Sequence, residues 1–259
     1  MSRPIRLLQF RTVAKSASIW KSVTSAVMTV TDGGQFQAGP EGIRFSARDR
    51  SHEIFIDVEI PNTAFQEYLC PSLLQFGVRL GELSQIMRRE ANNTPIEISI
   101  QDTSLIVDTN SCRYKLNLPE SSTLISRLSG VSFDTKMIIR KKTLADILHD
   151  VRVFSDRVGL RTILVPEIAT SFSAITDIGS ASVTITGDSC APDVPHQTSR
   201  TERSEAIYSL GLVSNLLDSI CCNNDYVQLE YSSGSTLRLK FLLENSVRLQ
   251  IYVAAQIDI

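Results

Sequence analysis

The side chains that most often carry chemistry are scattered in this chain. Its three histidines, His52, His149 and His196, lie far apart, and none sits in the His-Glu-x-x-His spacing that binds a catalytic zinc. There are five cysteines, Cys70, Cys112, Cys190, Cys221 and Cys222. An odd number without framework spacing reads as reduced thiols inside a cell. Cys221 and Cys222 are adjacent, the wrong spacing for a zinc knuckle, and on a helix they point to different faces. The chain has neither a Gly-rich phosphate loop nor a nucleophile elbow, and its carboxylates form no pair. The residues therefore predict no catalytic group, no metal and no cofactor. They point to a binding or scaffold protein rather than to a two-domain enzyme, which would need a catalytic cluster.

Composition is that of an ordinary globular chain, 42% apolar and 21% charged, with a formal net charge of −2. That total predicts no nucleic-acid or membrane partner, so any such partner must be met by a local patch. No apolar run approaches the roughly 20 residues of a membrane span. Met1–Arg6 is too polar to open a signal peptide, so the Asn92-Asn93-Thr94 sequon carries no meaning and an intracellular protein is expected.

The elements that position these residues come in two copies. Leu80-Gly81-Glu82-Leu83-Ser84-Gln85-Ile86-Met87 returns as Leu210-Gly211-Leu212-Val213-Ser214-Asn215-Leu216-Leu217. Upstream, Pro40-Glu41 with Phe45-Ser46-Ala47 and Asp49 returns as Pro166-Glu167 with Phe172-Ser173-Ala174 and Asp177. Both pairs keep one order at an offset of roughly 130 residues, which marks an internal duplication. The expected architecture is α+β: two similar domains of antiparallel sheet with two helices each, at 1–118 and 137–259, joined by a connecting loop at 119–136.

Periodicity places helices at about Ser18–Met28, Leu80–Ala91, Leu144–Phe154 and Leu210–Cys222. Thr143 is the expected N-cap of the third, with Asp146 completing a capping box. The strands Gln35–Ala38 and Ile43–Ala47 flank a Gly39-Pro40-Glu41-Gly42 turn, and Glu53–Ile60 alternates as a half-buried strand does. Three alternating strands close each half: Ile96–Ile100, Ser104–Asp108 and Arg113–Leu116, then Tyr226–Tyr231, Thr236–Leu243 and Val247–Ala254. The connector holds Leu124, Ile125, Leu128, Val131 and Phe133, more apolar residues than a solvated linker needs. The stretch from Asp188 to Ser204 reads as a second long, exposed loop without chemistry.

Several stretches of this pattern resemble the DNA sliding clamps of the proliferating cell nuclear antigen (PCNA) type. Glu41-Gly42-Ile43 with Ala47-Arg48-Asp49-Arg50-Ser51-His52 is similar to the family's "S/P-x-G-[IV]…D-x-S-H". Phe65-Gln66-Glu67-Tyr68-Leu69-Cys70 is similar to its "F-x-x-Y-x-C". Phe76-Gly77-Val78-Arg79-Leu80 with Ile86-Met87-Arg88-Arg89 is similar to its "G-V-x-L…I-L-K", and Ile251–Ile257 to its C-terminal "Y-x-A-P-x-I". The likeness runs from about Phe10 to Ile259.

The resemblance implies a DNA clamp fold assembling into a pseudo-sixfold ring of three chains around duplex DNA, bound non-specifically and without catalysis. Ring closure would pair one chain's Cys112–Leu118 edge (Cys112, Arg113, Tyr114, Lys115 and Leu116) with the next chain's Ala181–Gly187 edge (Ser182, Val183, Thr184 and Ile185). Both segments alternate, and an open edge needs protection or a partner. Lys15, Lys21, Arg88, Arg89 and Arg152 would face the DNA. Partners such as a DNA polymerase, a flap endonuclease, a DNA ligase and the clamp loader would insert a PCNA-interacting peptide into an apolar groove. That groove would be formed by His52, Phe55, Leu128, Val131, Phe133, Tyr252, Val253, Ala254 and Ala255.

The chain departs from the family in three places. The proline after the C-terminal Ala is Ala255 here, and the apolar residue before Asp49 is Arg48, which implies a groove shaped for different peptides or partly closed. The four predicted helices carry Lys21, Arg88, Arg89 and Arg152 against Glu82, Glu90, Asp146, Asp150 and Asp218, although sliding on phosphate calls for a basic lining. Residues before Phe10 form an extension with Arg3 and Arg6. The weak positive charge raises the alternative that the chain is one subunit of a heterotrimeric or damage-checkpoint clamp. A monomeric processivity factor would show strong basic asymmetry, which is absent.

Overall fold

The fold was analysed in a computed structural model, which describes residues 10–119, 130–164, 168–186, 197–198, 203–220 and 225–256. Two compact units emerge. One takes the chain up to Ala47, then Asp57–Ser126 and Leu243–Arg248; the other takes Arg48–Ile56, Arg127–Leu242 and the chain from Leu249 on.

In the first unit, β1 (Arg11–Ala14), β5 (Glu67–Leu69), β7 (Ile96–Gln101), β8 (Ser104–Asp108) and β9 (Arg113–Asn117) form a sheet in the order β5-β1-β7-β8-β9. β2 (Gly33–Gly39), β3 (Gly42–Arg48), β4 (Ile54–Pro61) and β6 (Leu74–Arg79) run in the order β4-β3-β2-β6, the first three residues of β4 counting with the second unit. In the second unit, β10 (Thr135–Arg140), β16 (Tyr226–Tyr231), β17 (Leu237–Leu242) and β18 (Arg248–Val253) run β10-β16-β17-β18, with the short β14 (Gln197–Thr198) outside β10. β11 (Arg157–Ile163), β12 (Ala169–Thr176), β13 (Gly179–Thr186) and β15 (Arg203–Ser209) run β13-β12-β11-β15. The two halves thus share one topology: β1-β7-β8-β9 repeats as β10-β16-β17-β18, and β4-β3-β2-β6 as β13-β12-β11-β15.

The helices are α1 (Ser18–Met28) and α2 (Leu80–Arg89), packed together in the first unit, and α3 (Lys141–Arg152) and α4 (Leu210–Ser219), packed together in the second. The repeated octapeptides are α2 and α4. Leu80, Leu83, Ile86 and Met87 are buried on one, and Leu210, Val213, Leu216 and Leu217 on the other. Each such side chain removed from water contributes about 2 kcal/mol. Phe45 and Phe172, the repeated aromatics, sit in β3 and β12 with 1% exposure each. The duplication in sequence is therefore a duplication of core positions.

The helix starts differ from the expected capping. α3 begins at Lys141, its N-cap Arg140 is extended, and Thr143 lies inside the first turn. No side-chain cap forms, because the strand turns straight into the helix and backbone takes the orphan donor. Lys141 N donates to Asp225 O at 2.6 Å, Leu80 N to Asp32 O at 3.0 Å and Leu210 N to Asp156 O at 2.8 Å. The expected helix end at Cys222 lies outside the described residues; α4 ends at Ser219. The stretch expected as one long loop is partly paired strand, since Gln197–Thr198 joins β10 and β15 starts at Arg203. The hairpin turn at Gly39–Gly42 forms as read. Gly42 has φ +140°, and a Cβ there would lie 2.2 Å from Ile60 O, so only glycine fits.

Candidate functional site

The groove residues are set by a turn, two strands and the end of the connector, all in the second unit. Asp49 shapes the turn. Its Oδ1 accepts from Ile54 N at 2.7 Å, its own N donates to Ile54 O at 3.0 Å, and Ser51 Oγ donates to Oδ2. Partial burial pushes the Asp49 carboxyl up, but the hydrogen bonds from Ser51 and from backbone hold it below the usual range. His52 follows with φ +62° and is exposed, and Phe55 enters β4 buried. Ala254 N donates to Glu53 O at 2.8 Å, and β4 is the strand beside β18, so Tyr252 lies next to Phe55. Their ring centroids are 5.7 Å apart.

The connector end is pinned to the same region. Asp134 N donates to Ser232 Oγ at 2.8 Å, and Ser232 Oγ donates to Ser132 O at 3.0 Å. Phe133 is half-buried, and the guanidinium carbon of Arg238 lies 4.1 Å from its ring centroid and 5.8 Å from that of Tyr252. Arg48 lies over Phe55 at 5.9 Å. Val253 is buried; Val131, Ala254 and Ala255 are half-buried. Leu128 falls outside the described residues. The structure thus gathers Phe55, Phe133 and Tyr252 into one aromatic cluster and places a guanidinium at each end of it. Sequence reading noted Arg48 but missed Arg238. The signal for it was the alternation in β17, which puts Arg238 and Lys240 on the face opposite Leu237 and Leu239.

Arg238 is held by Glu230, which is 6% exposed and also accepts from Lys240 Nζ at 3.2 Å and from Gln228 Nε2 at 2.6 Å. Two cations share one carboxylate there.

The two expected assembly segments are edge strands of their sheets among the described residues: β9 lies outside β8, and β13 outside β12. Along β9, Arg113, Lys115 and Asn117 are exposed while Tyr114 and Leu116 are half-buried. Along β13, Ser182 and Thr184 are exposed, Val183 is half-buried and Ile185 is buried. Cys112 is an exposed free thiol just before β9. Tyr114 hydrogen-bonds with Cys112, which raises its phenol above the ordinary value, and it also reaches Arg89. Beside β13, Val153, Ile175 and Ile178 are exposed at 73%, 80% and 81%.

The cations on and beside the helices are in different situations. Lys15, Arg88, Arg89 and Arg152 are exposed. Lys21 is half-buried, and its Nζ donates to Glu90 O at 2.5 Å and Asn92 Oδ1 at 2.8 Å. In the second unit Lys141 Nζ donates to Ile220 O at 2.5 Å. In each half, then, a lysine from one helix covers the C-terminal carbonyls of its neighbour, where the helix dipole is negative. Glu82, Asp146, Asp150 and Asp218 are exposed as well, so these acids do not turn into the core.

A separate cleft of about 630 Å³ lies in the first unit, lined by Gly39–Gly42, Arg44, Glu59, Leu73 and Arg248 among others. None of the expected site residues lines it. Among the described residues no group of three or more His, Cys, Asp or Glu could hold a metal, and no helix is long and apolar enough to cross a membrane.

A duplicated α+β unit, with two helices and repeated antiparallel sheets in each copy, defines the DNA clamp fold. Two solved structures share it. The PCNA of A. fulgidus, solved with the C-terminal region of FEN-1 bound, superposes with a TM-score of 0.84 at 16% identity, covering 96% of this chain and 99% of that one. PCNA from Thermococcus kodakaraensis gives 0.84 at 18%, covering 95% and 100%. The family profile described as "Proliferating cell nuclear antigen, N-terminal domain" matches residues 9–114. The DNA polymerase sliding clamp of Nitrosopumilus maritimus is 31% identical over 240 residues, 92% of this chain and 94% of that protein. The chain belongs to the PCNA family of DNA polymerase sliding clamps.

Proposed function

We propose that the chain is a DNA sliding clamp that closes into a three-chain ring around duplex DNA and tethers replication and repair enzymes. The observation that carries this is the topological repeat. Within the second unit β18 has the start of β4, residues 54–56, as its sheet neighbour. In the duplicated scheme β9 is the equivalent of β18 and β13 the equivalent of β4. Among the described residues β9 and β13 are both edge strands, so the pairing used once within the chain can be repeated between chains. Closure in this way removes both edges. The domains would be 1–118 and 137–259, with 119–136 as the connector.

The ring holds DNA through Lys15, Lys21, Arg88, Arg89 and Arg152, without base recognition. The aromatic cluster of Phe55, Phe133 and Tyr252, with His52, Leu128, Val131, Val253, Ala254 and Ala255, receives the apolar anchor of a partner peptide. Polymerase, flap endonuclease, ligase and clamp loader are the expected partners, and the chain does no chemistry of its own. It would work where genomic DNA is copied, in the nucleoid or the nucleus.

The test is light scattering on the purified chain, followed by stimulation of a polymerase on primed circular DNA. A mass of three chains together with stimulation is the expected result. A stable monomer that stimulates alone would overturn the ring. A second reading is favoured by the exposed acids Asp146, Asp150 and Asp218 on α3 and α4: the chain is one subunit of a heterotrimeric or checkpoint clamp. In that case the chain alone is a monomer or dimer and becomes a ring only with its paralogues.

A further inference from the structure

The positive charge missing from the helices is found on the outer face of a sheet. In an antiparallel pair, directly opposed residues project to the same face. Lys136 opposes Glu230 and Arg140 opposes Tyr226 between β10 and β16; Glu230 opposes Arg238 and Gln228 opposes Lys240 between β16 and β17. Lys136, Arg140, Arg238 and Lys240 therefore share one face. The alternate residues Met137, Ile139, Val227, Leu229 and Leu239 are buried on the other. Glu230 is the only acid within these three strands; Asp134 and Asp225 stand just before β10 and β16. All four cations are at least partly exposed.

This strip is continuous with the aromatic groove, and Arg238 is the joint. Its guanidinium bonds Glu230 within the strip while covering the Phe133 ring at 4.1 Å and reaching the Tyr252 ring at 5.8 Å. A ligand that engages both surfaces must carry an apolar anchor and, next to it, carboxylates. A nucleic-acid duplex would satisfy the cations but, with its bases stacked inside, would leave the aromatic cluster unused, whereas a single strand could stack on it and is therefore an arm of the test below. Resting on the peptide-groove reading above, we infer that this clamp selects partner peptides whose apolar anchor is flanked by an acidic stretch, with Lys136, Arg140 and Lys240 receiving the stretch and Arg238 setting its junction with the anchor. Selectivity of this kind works in both directions, since the same cations repel an anchor flanked by lysine or arginine.

The experiment is fluorescence anisotropy on the full chain with three synthetic peptides sharing one leucine-and-aromatic anchor and carrying acidic, neutral or basic flanks. At low salt the acidic peptide should bind about tenfold more tightly than the neutral one and the basic peptide more weakly, the differences shrinking as salt rises. In the double variant Lys136→Gln/Lys240→Gln the acidic advantage should disappear, while the neutral peptide reports that the groove is intact. If wild type binds acidic and neutral peptides equally, the proposal is overturned and the groove stands. If a short single-stranded oligonucleotide binds wild type, fails on the double variant and displaces the acidic peptide, the strip is a nucleic-acid site and the proposal is overturned. If no peptide binds, the groove reading itself fails and takes the proposal with it.

Discussion

Lys21 Nζ donates to the backbone carbonyl of Glu90 at 2.5 Å, so this lysine holds the end of α2 as well as carrying charge on α1. The two roles differ in what mutation does. A carbonyl at a helix C-terminus that loses a cationic donor costs about 1 kcal/mol. Lys21→Ala should therefore lower the melting temperature of the chain by a few degrees, measured by calorimetry. Arg88→Ala should leave it unchanged while weakening polymerase stimulation on primed DNA. Equal melting temperatures for the two variants would show that the Lys21 contact carries no stability.

Tyr114 sits on the open edge strand β9 beside Cys112 and Arg89. Replacing it with Asp places a charge where the ring reading needs strand pairing and apolar contact. The expected result is loss of the three-chain species, with light scattering reporting the mass of one chain. A variant that retains a three-chain mass would remove Tyr114 from the interface.

Phe133 and Tyr252 both pack against Arg238, and Tyr252 also packs against Phe55. The double variant Phe133→Ala/Tyr252→Ala should abolish binding of a clamp-interaction peptide, a loss of at least about a hundredfold for two aromatic contact residues. Calorimetric titration reads it directly. Unchanged affinity would move the peptide site elsewhere.

Glu97 receives Arg11 in a two-pronged ion pair, Nε to Oε1 at 2.7 Å and Nη2 to Oε2 at 2.8 Å. The hydrogen bonds from Arg11 hold the Glu97 carboxyl below its ordinary value, against a smaller opposing effect of burial. A depressed carboxylate contributes stability that is complete above its unfolded value and is lost as pH falls through the folded one. Glu97→Gln should cost about 1 kcal/mol at neutral pH after allowance for solvent screening. The gap from wild type should close as pH drops below the usual carboxylate range, which urea melts at several pH values would show. A constant gap would mean that packing, not charge, explains the loss.

The expected and observed elements agree where one residue pattern answers to one local force. Ser18–Met28 is helical because its apolar residues recur at helical spacing and have α2 to bury against, and the repeated Leu-Gly octapeptides fall on equivalent buried faces of α2 and α4. The Gly39–Gly42 turn follows from a backbone angle that only Gly42 tolerates. The start of α3 was hidden because its cap is not a side chain. The donor of Lys141 is taken by the carbonyl of Asp225, which is distant in sequence, and no local pattern at Thr143 reveals that.

The sequence by itself determined the duplication, the α+β class and the family, because these rest on residue types at fixed spacing. It also named Phe55, Phe133 and Tyr252. Only the tertiary structure decided that the Phe55 and Tyr252 rings meet, that Arg238 joins Phe133 to Tyr252 and to Glu230, and that β9 and β13 are edge strands among the described residues. Those relations depend on strand order and register, which join segments far apart in the chain, and a pattern read along one segment carries no information about which strand lies beside it.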